Sequence, residues 1–104
     1  MNYILLCCAS TISTSILVNS MKEEAKSKKI ETIIWAVGET ALDIAWPEAD
    51  IILLSPQIRH LLPSTKELVK NRIPVIVIDE EDFIKMDGKK VLDIALNELQ
   101  KTVG

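Results

Sequence analysis

The sequence predicts a single α/β domain built on a four-stranded parallel sheet with helices on both faces. Short apolar runs alternate with helical patterns along the whole chain, which is typical of a parallel sheet wrapped by helices. Of the 104 residues, 48% are hydrophobic but only 4% are aromatic, and this aliphatic composition suits strands that are buried on both faces. The length fits one hydrophobic core, so we expect one domain over residues 1–104.

The predicted strands are short, nearly continuous apolar runs bounded by polar or turn residues. They are Tyr3–Cys8, Thr32–Val37, Asp50–Leu54 and Ile73–Ile78. With right-handed crossovers and the first strand in the centre, the expected strand order is 2-1-3-4. The winding then reverses between the first and third strands, and ligands of such sheets bind outside the carboxyl ends of the strands at that reversal. Residues 8–15 and 55–60 are expected to meet there.

Helical patterns follow the strands. The first predicted helix covers residues 13–29, with Ser13 or Thr14 as its N-cap, and a short second helix covers residues 40–46. Ser64 and Glu67 have the spacing of a capping box, which predicts a third helix from residue 64 to about residue 71, after an interruption at Pro63.

Towards the end of the chain, the acidic run of residues 79–82 is interpreted as a solvated loop or the start of a short helix. The last helix is predicted over about residues 87–102. Its buried stripe comprises Val91, Leu92, Ala95, Leu96 and Leu99.

Charge and composition exclude several classes of function. The formal net charge of −3 argues against nucleic acid or an anionic membrane as the main partner. No apolar stretch approaches the roughly 20 residues that cross a membrane, and residues 2–8 lack the basic start of a signal peptide, so we expect no membrane insertion. No His/Cys cluster indicates a metal site and no glycine-rich motif indicates a nucleotide site, so no cofactor is expected.

The chain has two cysteines, which are adjacent in the sequence. Their side chains point to opposite faces of the strand, so an internal disulfide would be strained, and a reducing, cytoplasmic location is expected. Cys8 ends the first strand and precedes a polar loop and a helix start. Unsatisfied amide groups at a helix N-terminus bind anions and favour a nucleophilic thiolate. Cys8 is therefore a candidate phosphoryl carrier, with a buried structural thiol as the alternative. Cys7 is interpreted as core.

Four segments in sequence order resemble the enzyme IIB subunit of bacterial sugar phosphotransferase systems of the lactose/cellobiose type. They are Cys8–Ser15 running into Ile16–Val18, Ala49–Ile58 followed by Leu61–Pro63, Pro74–Asp79, and Met86–Gly88. The resemblance implies a single phosphocysteine-carrying IIB domain, a fold shared with low-molecular-weight tyrosine phosphatases, and the activity of a protein-phosphocysteine–sugar phosphotransferase. Its partners would be a IIA subunit with a phosphohistidine, a IIC membrane permease, and the sugar that IIC holds, a β-linked disaccharide such as cellobiose, lactose or chitobiose. The chain would then be peripherally associated with the permease.

The resemblance assigns the phosphorylated cysteine to Cys8. It assigns the phosphate-binding loop to Ala9, Ser10, Thr11, Ile12, Ser13, Thr14 and Ser15. The facing segment supplies a possible partner-binding or site rim, namely Ser55, Pro56, Gln57, Arg59 and His60.

This sequence departs from the family pattern at Thr11, where the loop usually has glycine, and at Ser55, where glycine or alanine is more usual. A β-branched residue is a poor substitute where φ must be positive, so Thr11 indicates either a different loop conformation or weaker phosphate binding. A regulatory module that has lost phosphotransfer is therefore an alternative.

A phosphatase-like or arsenate-reductase-like thiol enzyme is a second alternative. The related tyrosine phosphatases need an arginine six residues after the cysteine, and Thr14 stands there. His60 is a candidate for a second phosphoryl acceptor or a general acid, and Arg59 for steering the phosphohistidine of the donor. A surface or half-buried side chain is the simpler interpretation of His60, and a solvated cation is at least as simple for Arg59.

Overall fold

Four parallel strands form one sheet in the order β2-β1-β3-β4, as the sequence predicts. This computed structural model describes residues 2–9 and 11–103, and the side chains of residues 2–9 and 14–101. The strands are β1 (Asn2–Cys8), β2 (Thr32–Gly38), β3 (Ile51–Leu54) and β4 (Val75–Val77). Since β2 and β3 lie on opposite sides of β1, the winding reverses between β1 and β3 at the carboxyl end of the sheet.

Five α-helices join and follow the strands in the described part of the chain. They are α1 (Thr11–Ser27), α2 (Leu42–Ala45), α3 (Leu62–Leu68), α4 (Glu80–Ile84) and α5 (Gly88–Val103). Short 3-10 turns flank α2 on both sides, and a longer one, Pro56–Leu61, leads from β3 into α3. None of the helices in the described ranges is both long enough and apolar enough to cross a membrane.

Alternation along the central strand gives the domain two cores, one on each face of the sheet. Leu6 and Cys8 belong to the core that α1 and α5 cover, which includes Met21 and Leu92. Cys7 lies one residue earlier and therefore points into the opposite core. Of the predicted stripe of α5, Val91, Leu92, Ala95 and Leu99 are buried and Leu96 is partly buried against the same core.

Two predicted helix starts are wrong. Helix α1 begins at Thr11, so Ser13 and Thr14 lie inside its first turn and neither is its N-cap. Helix α3 begins at Leu62, with Pro63 in its first turn, where proline needs no amide partner. Ser64 therefore does not cap α3; its hydroxyl donates a hydrogen bond to the carbonyl of Leu61 at 3.0 Å.

The acidic run after β4 forms a short helix, and one of its carboxylates is buried. Asp79 caps α4 by accepting a hydrogen bond from the Glu81 amide at 2.9 Å. Asp82 is only 3% exposed and its Oδ1 lies 3.3 Å from the ammonium of Lys90 on α5. Of the two interpretations of this run, the start of a short helix is confirmed and the solvated loop is wrong.

Candidate functional site

The two segments expected at the winding reversal do meet there. Cys8 is the last residue of β1, and the register of the parallel pair places Cys7 beside Leu54 on β3. Across this edge the thiol of Cys8 donates a hydrogen bond to Oε1 of Gln57, with 3.6 Å between sulfur and oxygen. A thiol is a weak donor, but this bond joins the end of β1 to the 3-10 turn after β3. The contact connects the cysteine with the predicted rim.

Cys8 is buried: it is 1% exposed and packs within the core that includes Leu6, Leu53 and Phe83. Burial alone is the ordinary condition of a structural cysteine. Its position at the carboxyl end of a central strand, directly before a helix start and in contact with a polar amide, is typical of a ligand site in this class of sheet. Any larger group on the sulfur must displace atoms that now cover it.

The segment after Cys8 is mostly helical. Ala9 is exposed, and residues 11–15 form the first turn of α1, in which Thr14 is buried and Ser15 is exposed. Ser10 lies outside the described residues, as do the side chains of Thr11, Ile12 and Ser13. The predicted phosphate-binding loop thus leads directly into a helix N-terminus, whose amide groups carry the partial positive charge that favours anions.

Thr11 adopts helical backbone as the first residue of α1. A helical residue has negative φ, and threonine takes this conformation without strain. The departure from glycine therefore imposes no left-handed backbone at this position. The steric objection to threonine therefore does not apply at Thr11.

Cys7 occupies the opposite face and has a different chemical character. It is 1% exposed among apolar side chains. Burial raises the pKa of the Cys7 thiol to about 11, with smaller contributions from the negative charge of Glu39 and from Cys8. A thiol that stays protonated at neutral pH is a poor nucleophile. The packing of Cys7 within the second core confirms its interpretation as a core residue. Neither cysteine is in a disulfide.

A cleft of about 390 Å³ opens beside the rim. Arg59 and His60 are exposed on one side of it, while Glu80 and Ile84 of α4 form another side. The cleft is lined by Pro56, Gln57, Arg59, His60, Glu80, Phe83 and Ile84. Gln57 contributes to this lining and also contacts Cys8, so the cleft adjoins the thiol.

Sequence reasoning missed the contribution of α4. Ile84 is 70% exposed, although isoleucine ordinarily avoids water, and Phe83 beside it is buried. The acidic run of residues 79–82 was interpreted by its charge alone, and the apolar pair that follows it was not considered as part of the site. The available signal was an apolar pair, Phe83 and Ile84, directly after the acidic run of residues 79–82.

Comparison with known proteins identifies the family. The family model described as "PTS system, Lactose/Cellobiose specific IIB subunit" matches residues 3–94. The chain belongs to this IIB family. It is therefore a component of a sugar phosphotransferase system, in which IIB subunits are expected to work with IIA and IIC subunits.

Relatives match this IIB chain over nearly its whole length. It is 42% identical over 98 residues to the oligo-beta-mannoside-specific EIIB component of Bacillus subtilis (strain 168), covering 93% of this chain and 95% of the relative. It is 32% identical over 100 residues to the cellobiose-specific EIIB component of Lactococcus lactis subsp. lactis (strain IL1403), covering 90% and 93%.

Solved structures share the fold of this IIB chain. The cellobiose-specific IIB component of Borrelia burgdorferi has a TM-score of 0.80 and 38% identity, covering 96% of this chain and 93% of that one. The lactose-specific IIB component domain of Streptococcus pneumoniae has a TM-score of 0.84 at 21% identity, covering 93% and 96%, and demonstrates the fold alone. The predicted sheet order and fold class are confirmed.

Proposed function

We propose that Cys8 carries the phosphoryl group: it accepts phosphate from a phosphohistidine of a IIA subunit and passes it to a sugar held by a IIC permease. The observation that carries this proposal is the place of Cys8 at the winding reversal, between the end of β1 and the start of α1. Cys7 lies in the opposite core, away from the start of α1, and its raised pKa makes it a poor nucleophile at neutral pH.

The first transfer exchanges one bond at phosphorus for another. The Cys8 thiol first releases its proton to solvent. The thiolate then attacks phosphorus in line, the S–P bond forms, and the P–N bond to the donor imidazole breaks with its electron pair returning to nitrogen. In the second transfer a sugar hydroxyl oxygen attacks, the S–P bond breaks, and the thiolate is restored while the hydroxyl proton leaves to solvent. Amide groups at the start of α1 would stabilise the phosphoryl oxygens at both stages.

Burial of Cys8 sets a condition on both transfers. With 1% of the residue exposed, a donor imidazole has no in-line path to the sulfur, so the atoms that cover it must move when a partner docks. The contact of the thiol with Gln57 must break in the same step, because the sulfur can no longer donate once it carries phosphorus. We therefore expect the partner to dock over the rim and displace Gln57.

A carrier is better supported than a phosphatase. Thr14 stands six residues after Cys8, where the related phosphatases need arginine, and it is buried in the first turn of α1. Without a planar guanidinium at that place, attack of water on phosphocysteine lacks its main charge stabilisation. The regulatory alternative was based on the expected strain of threonine at position 11. The helical backbone at Thr11 is compatible with threonine, so this argument for a regulatory module no longer applies.

The acceptor is expected to be a β-linked disaccharide bound by IIC. Relatives named for oligo-beta-mannoside, galactose and cellobiose all match this chain over at least 90% of its length. A domain shared among systems named for different sugars fits a sugar choice made in the permease. This role places the chain at the cytoplasmic side of the membrane, beside IIC.

The test is intact-mass spectrometry after incubation with phosphoenolpyruvate, the general phosphotransferase proteins and the cognate IIA subunit. One added phosphate is expected on the wild-type chain and on Cys7→Ala, and none on Cys8→Ser. Labelling retained in Cys8→Ser would contradict the assignment. Absence of hydrolysis of p-nitrophenyl phosphate by the wild-type chain distinguishes the carrier from a phosphatase-like enzyme.

A further inference from the structure

Ser55 carries a buried hydroxyl that the fold does not satisfy. The residue is 1% exposed, and within the part of the chain that the structure describes its Oγ has no hydrogen-bond partner. Buried polar groups are nearly always hydrogen-bonded, and leaving one without a partner destabilises a fold. A hydroxyl retained in such a position requires a physical reason.

The register places Ser55 beside Cys8. The amide of Ser55 donates to the carbonyl of Cys7 at 2.9 Å, which continues the pairing of Cys7 with Leu54 by one residue and sets Ser55 next to Cys8. Neighbouring strands of a sheet are about 4.8 Å apart, so the two residues are lateral neighbours.

The two side chains also share a face. Leu53 belongs to the same core as Cys8, while Leu54 belongs to the core of Cys7. Ser55 has extended backbone, with φ −65° and ψ 154°, so the alternation continues through it. Its side chain is therefore on the Cys8 side of the sheet.

We propose that the Ser55 hydroxyl donates a hydrogen bond to a phosphoryl oxygen on Cys8 and stabilises the phosphorylated state. This inference rests on the proposed function of Cys8. In the structure described here the thiol donates to Gln57, and the Ser55 hydroxyl is not bonded to either of them. A phosphoryl group on the sulfur brings acceptor oxygens within a bond length or two of Sγ, where a lateral neighbour can reach them. The phosphate itself then supplies the partner that the Ser55 hydroxyl lacks among the described residues.

The hydroxyl adds to a binding site that the α1 amide groups already form. Removing it should shift the equilibrium of the phosphoryl group without abolishing transfer. Hydrogen bonds to charged groups are stronger than neutral ones, so Ser55→Ala is expected to lower the equilibrium ratio of phosphorylated to unphosphorylated Cys8 by about tenfold.

The experiment measures that ratio by intact-mass spectrometry, with the chain equilibrated against a fixed ratio of phosphorylated to unphosphorylated IIA subunit. The matched control is Ser64→Ala, since the Ser64 hydroxyl is exposed on α3 and already donates to the carbonyl of Leu61. The control should keep the wild-type ratio, whereas Ser55→Ala should lose most of it. Ser55→Gly should behave as Ser55→Ala, because both lack the hydroxyl.

Thermal unfolding of the unphosphorylated proteins separates this role from a structural one. Ser55→Ala removes no hydrogen bond seen in the described residues, so its midpoint should equal or exceed that of the wild type. A clearly lower midpoint, or a failure of the variant to fold, would show that the hydroxyl is bonded within the fold, for instance through a buried water, and would overturn the inference.

The outcomes for the two proposals are distinct. If the wild-type chain takes up no phosphate, the function proposed for Cys8 fails and the role of Ser55 fails with it. If wild type and Ser55→Ala reach the same ratio, Cys8 remains the carrier and only the role of Ser55 is refuted.

Discussion

Replacing Cys7 by alanine should change how the stability of the domain depends on alkaline pH. The pKa of this thiol is raised from 9.0 to about 11, first by burial and then by the charges of Glu39 and Cys8. Above pH 9 the thiol ionises in the unfolded chain but stays protonated in the folded one, so the unfolded state is favoured as the pH rises. Stability from the neutral buried thiol is complete below pH 9 and is lost between pH 9 and pH 11.

The magnitude follows from the size of the shift. At about 1.4 kcal/mol per pKa unit, the full effect on the free energy of unfolding is on the order of 3 kcal/mol, of which about 1 kcal/mol is lost by pH 10. Cys7→Ala removes this effect but leaves a small cavity, which costs about 1–2 kcal/mol at neutral pH. The variant should therefore be less stable than the wild type at pH 7, and the difference should close as the pH approaches 10.

The assay is urea unfolding of both proteins at several values between pH 7 and pH 10. The two proteins differ only at residue 7, so effects of pH on the rest of the chain largely cancel in the difference between the two curves. A difference that stays constant from pH 7 to pH 10 would refute the reasoning, because it would mean that the Cys7 thiol ionises equally easily in the folded and unfolded chains.

Two further substitutions test the packing that holds the site in place. Gly88→Ala should lower the free energy of unfolding by about 2–3 kcal/mol in urea denaturation, because its Cβ would lie 2.6 Å from the backbone nitrogen of Met21 on α1. Gly38→Ala is the matched control, since nothing lies within 4 Å of its added Cβ, and equal midpoints for the two variants would contradict the close approach of α5 to α1. Lys90→Met should lower the thermal midpoint by leaving the buried carboxylate of Asp82 without its cation, and Asp82→Asn in the same background should recover part of the loss. No change in Lys90→Met would show that the ion pair contributes no net stability.

The arrangement of the sheet could be predicted from the sequence because it depends on long-range patterns. Four apolar runs separated by helical segments determine a parallel sheet, and handedness then limits the order of the strands. The meeting of Cys8 with the segment after β3 follows from that order alone. The contact between Cys8 and Gln57 confirms it.

The ends of helices and the burial of single side chains could not be predicted as well from the sequence, since they depend on which of several local hydrogen bonds and contacts forms. Serine and threonine act as caps but also occur within a first turn, so Ser13 and Ser64 predicted starts two residues too late. Charge runs are usually solvated, and only the packing of α4 against α5 shows that Asp82 is buried. The Ser55 hydroxyl lacks a hydrogen-bond partner among the described residues, and this depends on the three-dimensional packing around it rather than on a sequence pattern.

On the proposed function, Cys8 must react readily with two partners and slowly with water, and its burial affects both requirements. Cys8 is only 1% exposed, so both water and partners are kept from its thiol. Whether the thiol reacts with a partner or with water then depends on which of them can displace the covering atoms. A docking protein can move them, because it replaces the lost contacts with contacts of its own, whereas a water molecule cannot. Gln57 lies where a docking protein would displace covering atoms, since it lines the exposed cleft and also accepts the hydrogen bond from the Cys8 thiol. On this proposal, the contacts that bury Cys8 also make exposure of its sulfur depend on the docking of a partner at Gln57.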